Sequence, residues 1–233
     1  MNNVPLLFAE TIARLLDDKS LQKLTDLSTG HFGNAGRSLW EKRLCIFLNV
    51  VNNSTAKTFE YCLNCSRSSG NSYYGPEEPY TYDPADHRFV RLFGVRYSDR
   101  NSLNNLEVDI TWTSADPTLL KLLRAPFARP RLFSHTKCPE FLKLLPNYCT
   151  FNHIYAPNGY NEVLGAIIQR SQEFGRLENV DCKEFFTKRG REASIDWIAT
   201  SKRLQYVSNS YIRDHEDRES IGAALANMSS KRY

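Results

Sequence analysis

Leu177-Glu178-Asn179-Val180 and, further along, Leu204-Gln205-Tyr206-Val207 decide how the C-terminal half of this chain folds. Each places two apolar residues three apart around a polar pair, and Phe151-Asn152-His153-Ile154 has the same form. From 151 to 177 is 26 residues, and from 177 to 204 is 27. Helical spacing follows each one, over 161–174, 191–201 and 218–228. A short strand and then a helix, recurring at a near-constant period, predicts stacked units whose apolar pairs line one shared core. The polar members would then sit on the exposed side of the strands and meet a ligand: Asn152, His153, Glu178, Asn179, Asp181, Gln205, Tyr206 and Ser208. Arg131-Leu132 begins an earlier unit of looser form. The competing reading is an irregular α/β domain whose period is accidental.

Upstream, residues 46–130 read as a strand-rich middle region. Leu106 to Trp112 alternates apolar and polar residues, the mark of a half-buried strand. Strands are also expected over 88–97, 45–51 and 59–62. The Gly-, Ser-, Pro- and Tyr-rich stretch 66–84 reads as a loop, with Asp83-Pro84-Ala85-Asp86-His87 as a turn within it. Asp116-Pro117 opens a helix that runs to Leu123.

Composition narrows the function classes. A hydrophobic fraction of 41%, with thirteen Phe and twelve Tyr, is enough for a packed core. The formal charge of +4 is spread among acids, so nucleic-acid binding is not expected. The basic residues Lys183, Lys188, Arg189 and Arg191 read as a solvated loop offset by Glu184 and Glu192. No run of eighteen apolar residues predicts a membrane span, and the N-terminus lacks the form of a signal peptide, so an intracellular chain (cytoplasmic or nuclear) with free thiols is expected. Cys62-Leu63-Asn64-Cys65 is half of a zinc site, and only Cys138, Cys149 and His135 are available to complete it. No phosphate loop, helical His-Glu-x-x-His or nucleophile elbow is present. No cofactor and no catalysis are therefore expected, a small zinc-dependent or hydrolytic enzyme being the distant alternative.

The first 45 residues read as three short helices. Pro5 suits a first helical turn. Phe8, Ile12, Leu15 and Leu16 follow at helical spacing, Asp17 or Asp18 breaks and caps, and Leu21, Leu24 and Leu27 make a second stripe. Gly30, Gly33 and Gly36 are expected to end it, with a short third helix from about Arg37 through Trp40. Helices this small cannot bury their own apolar faces, which suggests that they are offered to another protein.

The offsets of Pro5, Ile12, Leu16 and Leu21, with the break from Asp17 to Ser20 and the closing Leu39-Trp40, resemble an F-box of the divergent kind expanded in roundworms. Leu7 stands where an acidic residue often follows the Pro, Asp18 replaces a second Pro, and Phe32 lies near the place of a missing Trp. The strand–helix period is similar to that of leucine-rich repeats, about 20–29 residues. Together these resemblances imply an α+β or α/β chain in three parts: an F-box-like helical module over 1–45, the middle region over 46–130, and leucine-rich-repeat-like units over 131–233. They imply a non-catalytic substrate-recognition adaptor of a cullin-RING ubiquitin ligase. Its partners would be the ligase adaptor subunit, the cullin scaffold and an unknown client protein. Pro5, Phe8, Ile12, Leu15, Leu16, Leu21, Leu24 and Leu27 would dock on the ligase adaptor, and Trp40 would brace the module. The runner-up keeps the repeats and drops the ligase.

Overall fold

In the computed structural model, the described residues are 5–16, 18–27, 30–53, 58–66, 78–99, 110–112, 116–125, 127–135, 139–157, 160–207 and 215–230. Three helices come first: α1 (Leu6–Leu15), α2 (Asp18–Leu27) and α3 (His31–Lys42). A hairpin follows, β1 (Leu44–Asn53) and β2 (Thr58–Ser66), then β3 (Glu78–Pro79), a 3-10 turn over Pro84–Phe89, and β4 (Val90–Asp99). Next are β5 (Ile110–Trp112), α4 (Pro117–Leu123), β6 (Phe127–Ser134) and α5 (Pro139–Leu142). The chain continues with β7 (His153–Tyr155), α6 (Glu162–Glu173), β8 (Asn179–Asp181), α7 (Lys183–Arg189), α8 (Arg191–Thr200), β9 (Tyr206–Val207) and α9 (His215–Ser230).

The strands form one mixed sheet in the order β3-β2-β1-β4-β6-β7-β8-β9, with β5 on β2. From β1 onward every pairing is parallel, and each later strand adds to the same growing edge. The registers place Leu48, Val95, Leu132, Ile154, Val180 and Val207 in a single row across six strands. All six are buried in the main apolar cluster. At ~1.5–3 kcal/mol for each side chain fully removed from water, this row is the principal reason the strands align as they do.

The last three strands recur as their spacing predicts. The carbonyl of Asn152 accepts from the amides of Glu178 (2.8 Å) and Asn179 (3.0 Å). One unit later the carbonyl of Glu178 accepts in the same way from Gln205 (2.7 Å) and Tyr206 (3.1 Å). Arg131 and Leu132 open the earlier unit, pairing with His153 and Ile154. Strand β6 spans residue 130, so the sheet is continuous through the boundary expected between the middle and C-terminal regions.

Helices α4, α6, α7, α8 and α9 all contribute to the main cluster, on one face of the sheet. Asp116 caps α4 by accepting from Thr118 N (2.8 Å) and Leu119 N (3.1 Å), and Asn161 caps α6 through Leu164 N (2.9 Å). The three N-terminal helices form a second, small cluster of Ala13, Leu21, Leu39 and Phe89, with Leu16, Leu24 and Trp40 packed against it. Phe89 reaches this cluster from the sheet side. Arg91 of β4 donates to the carbonyls of Arg14 and Leu16, and Arg43 donates to Leu16 O at 3.3 Å. Two buried guanidiniums thus occupy the carbonyl end of α1, where orphaned acceptors and the helix dipole both favour a cation.

Several local expectations change. Gly33 and Gly36 do not end a helix; both lie inside α3, which is longer than expected, and Gly36 faces Leu24 and Thr25 of α2 at ordinary contact distance. The strand expected over 106–112 is present as Ile110–Trp112, and 106–109 lie outside the described residues. The supposed basic loop is helix α7, separated from α8 by Gly190 (φ 80°). Its Phe185 and Phe186 enter the core, and that pair outweighs the charges around it.

Candidate functional site

Two exposed features lie outside the main core. The first is the start of α1. The helix is initiated by Pro5, whose carbonyl accepts from Phe8 N (3.0 Å) and Ala9 N (3.1 Å). Ala9 and Ala13 turn inward and are sealed, whereas Leu6, Leu7 and Phe8 are 46%, 75% and 53% exposed. Three neighbouring large apolar side chains in water make a patch that needs a reason. Of the expected docking residues, Pro5 and Phe8 are exposed, and Ile12, Leu16 and Leu24 are half-buried. Leu21 is fully buried against the chain's own α3 and Phe89 and cannot also serve a partner. The side chains of Leu15 and Leu27 lie outside the described set. Trp40 packs against the small cluster.

The second feature is the sheet face opposite the helices. Period-two alternation puts Phe47, Asn49, Arg96, Ser98, Arg131, Phe133, His153, Tyr155, Asn179, Asp181 and Tyr206 on this side. None belongs to either apolar cluster. The β1 side is covered, with Phe47 and Asn49 buried; Arg96 of β4 is half-buried at the margin, and Tyr155 and Tyr206 at the other end are exposed. Parallel sheets are ordinarily covered on both faces, so the uncovered stretch over β6–β9 is a surface to be explained.

Its polar residues are held in order. Glu178 accepts from Asn152 Nδ2 at 3.0 Å and lies 3.6 Å from His153 Nε2, while Asn179 Nδ2 and His153 Nδ1 are 2.7 Å apart. Asn152 is itself buried and serves the turn into β7, so it is a supporting residue rather than a contact surface. His153, Glu178, Asn179 and Asp181 are half-buried, Gln205 and Tyr206 are exposed, and Ser208 lies outside the described residues.

Toward β4 the face becomes aromatic and cationic. Rings of Phe47 and Phe133 stand 5.9 Å apart, and the Arg96 guanidinium stacks over both, at 5.2 and 5.6 Å from their centroids. Phe133 continues to Tyr155 (6.1 Å), and Tyr155 to His135 (5.6 Å). Gly94 makes this arrangement feasible: a Cβ there would fall 2.5 Å from Phe47 Cε2 and 3.2 Å from the Arg131 carbonyl. Sequence reasoning did not single out Arg96, Phe47 or Phe133. The alternation Val95-Arg96-Tyr97 was a signal that Arg96 faces away from the core, but it names no neighbour.

The same β-geometry divides the half zinc site. Cys65 is the ladder partner of the core residue Ile46, and Cys62 is the partner of Asn49 on the other face, so the two thiols point away from one another. No group of three or more metal-ligating side chains occurs among the described residues, and Cys138 lies outside them. Burial pushes the Cys149 and Cys182 thiols up to about 12, opposite to the shift that makes a nucleophile or a ligand. Arg189 of α7 lies over Phe185 and Trp197, and Lys188 pairs with Glu162 at 3.2 Å, so these two cations are engaged within the fold. Among the described residues, no helix is long and apolar enough to cross a membrane.

Comparison with family models, with curated proteins and with solved structures returns no match. The functional reading rests on the residues themselves.

Proposed function

We propose that this chain is a non-catalytic adaptor that joins two proteins, one at α1 and one on the open sheet face. The observation that carries the reading is the split of α1: its inward face is sealed by small residues, while Leu6, Leu7 and Phe8 face water. The likeness of the N-terminal spacing to an F-box makes the adaptor subunit of a cullin-RING ubiquitin ligase the partner at α1. The likeness of the C-terminal units to leucine-rich repeats makes the uncovered strands the client side. Ubiquitin transfer would then be accelerated by proximity, with catalytic groups supplied by the ligase.

Leu7→Asp tests the first half, because Leu7 is 75% exposed and its replacement disturbs little of the fold. Purified ligase adaptor subunit should bind the native chain with Kd at or below about 1 μM, roughly −8 kcal/mol, and Leu7→Asp should abolish this. Lack of binding at tens of micromolar by the native chain rejects the ligase reading. The burial of Leu21, one of the expected docking residues, favours a second reading: an interaction protein of the same fold without ligase association.

A further inference from the structure

Arg96 is a half-buried cation at the margin of the open stretch, with no counter-charge among the described residues. Its guanidinium lies over the adjacent rings of Phe47 and Phe133 and makes no hydrogen bond or ion pair among the described residues. A cation–π contact uses none of its five N–H donors. A half-buried guanidinium with unspent donors beside an open face calls for an anionic partner. Partial desolvation, and then the Arg96 charge, hold the neighbouring His135 imidazole below its usual value, as expected beside an uncompensated cation.

We propose that Arg96 anchors a carboxylate side chain of the client, an Asp or Glu within an otherwise apolar segment of polypeptide laid across β4 to β8. The proposal rests on the reading that this face holds a client, and it names the client's chemistry. The row running from Arg96 passes Phe133 and Tyr155 and ends at Asp181, about 14 Å away at ~4.8 Å per strand. Aromatic rings beside the anchor suit apolar flanking residues. Asp181 and Glu178 at the far end repel further negative charge, which disfavours a phosphate dianion and, more strongly, a nucleic-acid backbone that needs several cations. One guanidinium matched to one carboxylate is the pairing that fits.

The test is selection of a random peptide library displayed on phage against the full chain. Acidic residues flanked by Phe, Leu, Trp or Tyr should be enriched. A synthetic peptide from the enriched set should bind Arg96→Gln about tenfold or more weakly than the native protein. Arg96→Glu should select Lys or Arg where the native chain selects Asp or Glu, a reversal that a purely structural role for Arg96 does not produce. If either variant fails to fold, Arg96→Lys, which keeps the charge and loses the planar fork, should still weaken the peptide. Enriched peptides that bind without regard to residue 96 but are lost on Tyr206→Ala would overturn the anchor and leave the client reading standing. No enrichment on the native chain overturns both, and stronger binding of a phosphopeptide or an oligonucleotide overturns the carboxylate assignment.

Discussion

The two apolar clusters of this protein are built on opposite principles. The large one is extended and redundant: it grows strand by strand, and each unit covers the edge of the last. The small one has four buried members among the described residues, and one of them, Phe89, is borrowed from the segment leading into β4. Cooperative units of this kind propagate stability along a sheet, whereas three short helices with so little core depend on what they lean against. The difference teaches why α1 can leave three large side chains in water: its inward face is sealed by small residues, and Phe89, Arg43 and Arg91 hold it from outside the helix.

The sharpest way to break this contrast is at the centre of the aligned row. Leu132→Asp puts a charge between Val95 and Ile154 and should abolish folding of the whole chain, seen as loss of a cooperative melt by circular dichroism; Leu132→Ala should cost about 2–5 kcal/mol. A folded Leu132→Asp protein would mean that the row is not the spine of the fold. Phe89→Ala should cost about 3 kcal/mol but act on the other cluster. Hydrogen exchange should accelerate over residues 6–42 and leave 150–207 protected; uniform acceleration would show that the two clusters melt as one. By the same logic residues 1–45 alone should lack a cooperative melt, and a sharp monomeric transition would refute their dependence on the sheet.

A smaller effect is expected at Gly94. Gly94→Ala forces Phe47 aside and should cost about 1–3 kcal/mol while loosening the Arg96 stack. An unchanged denaturation midpoint would show that the ring yields freely. The smallest concerns pH. Burial, then the charges of Lys121 and Arg14, hold His87 below its ordinary value of 6.5. The unfolded chain therefore takes up this proton first. Stability is unaffected well above 6.5 and declines as pH falls below it toward the lower folded value. His87→Gln should remove part of that decline between pH 7 and 5, and identical pH profiles would remove His87 from the account.

Local signals in the sequence were read where they are physically self-sufficient. Asp116-Pro117 carries its own cap, and it starts α4 as expected. The apolar pairs Leu177/Val180 and Leu204/Val207 are both buried as their period requires. Helix α7 was hidden because its charged residues dominate the segment while two phenylalanines fix its fate. The glycines of α3 were read as breakers because glycine disfavours a helix locally, whereas their burial depends on neighbouring elements. Cys62 and Cys65 suggested chelation through spacing alone, until the strand sent them to opposite faces.

By itself, then, the chain's order of residues determined the strand–helix alternation of the C-terminal half, its period and the Asp116 cap of α4, because these depend on contacts within a few residues. Tertiary structure alone decided that β1 lies beside β4, that Gly94 makes room for Phe47, and that Arg96 comes to rest over rings supplied by two other strands. Those outcomes follow from closing long loops in one particular register. That register is selected by burial of the whole row at once, and no short stretch of the chain contains it.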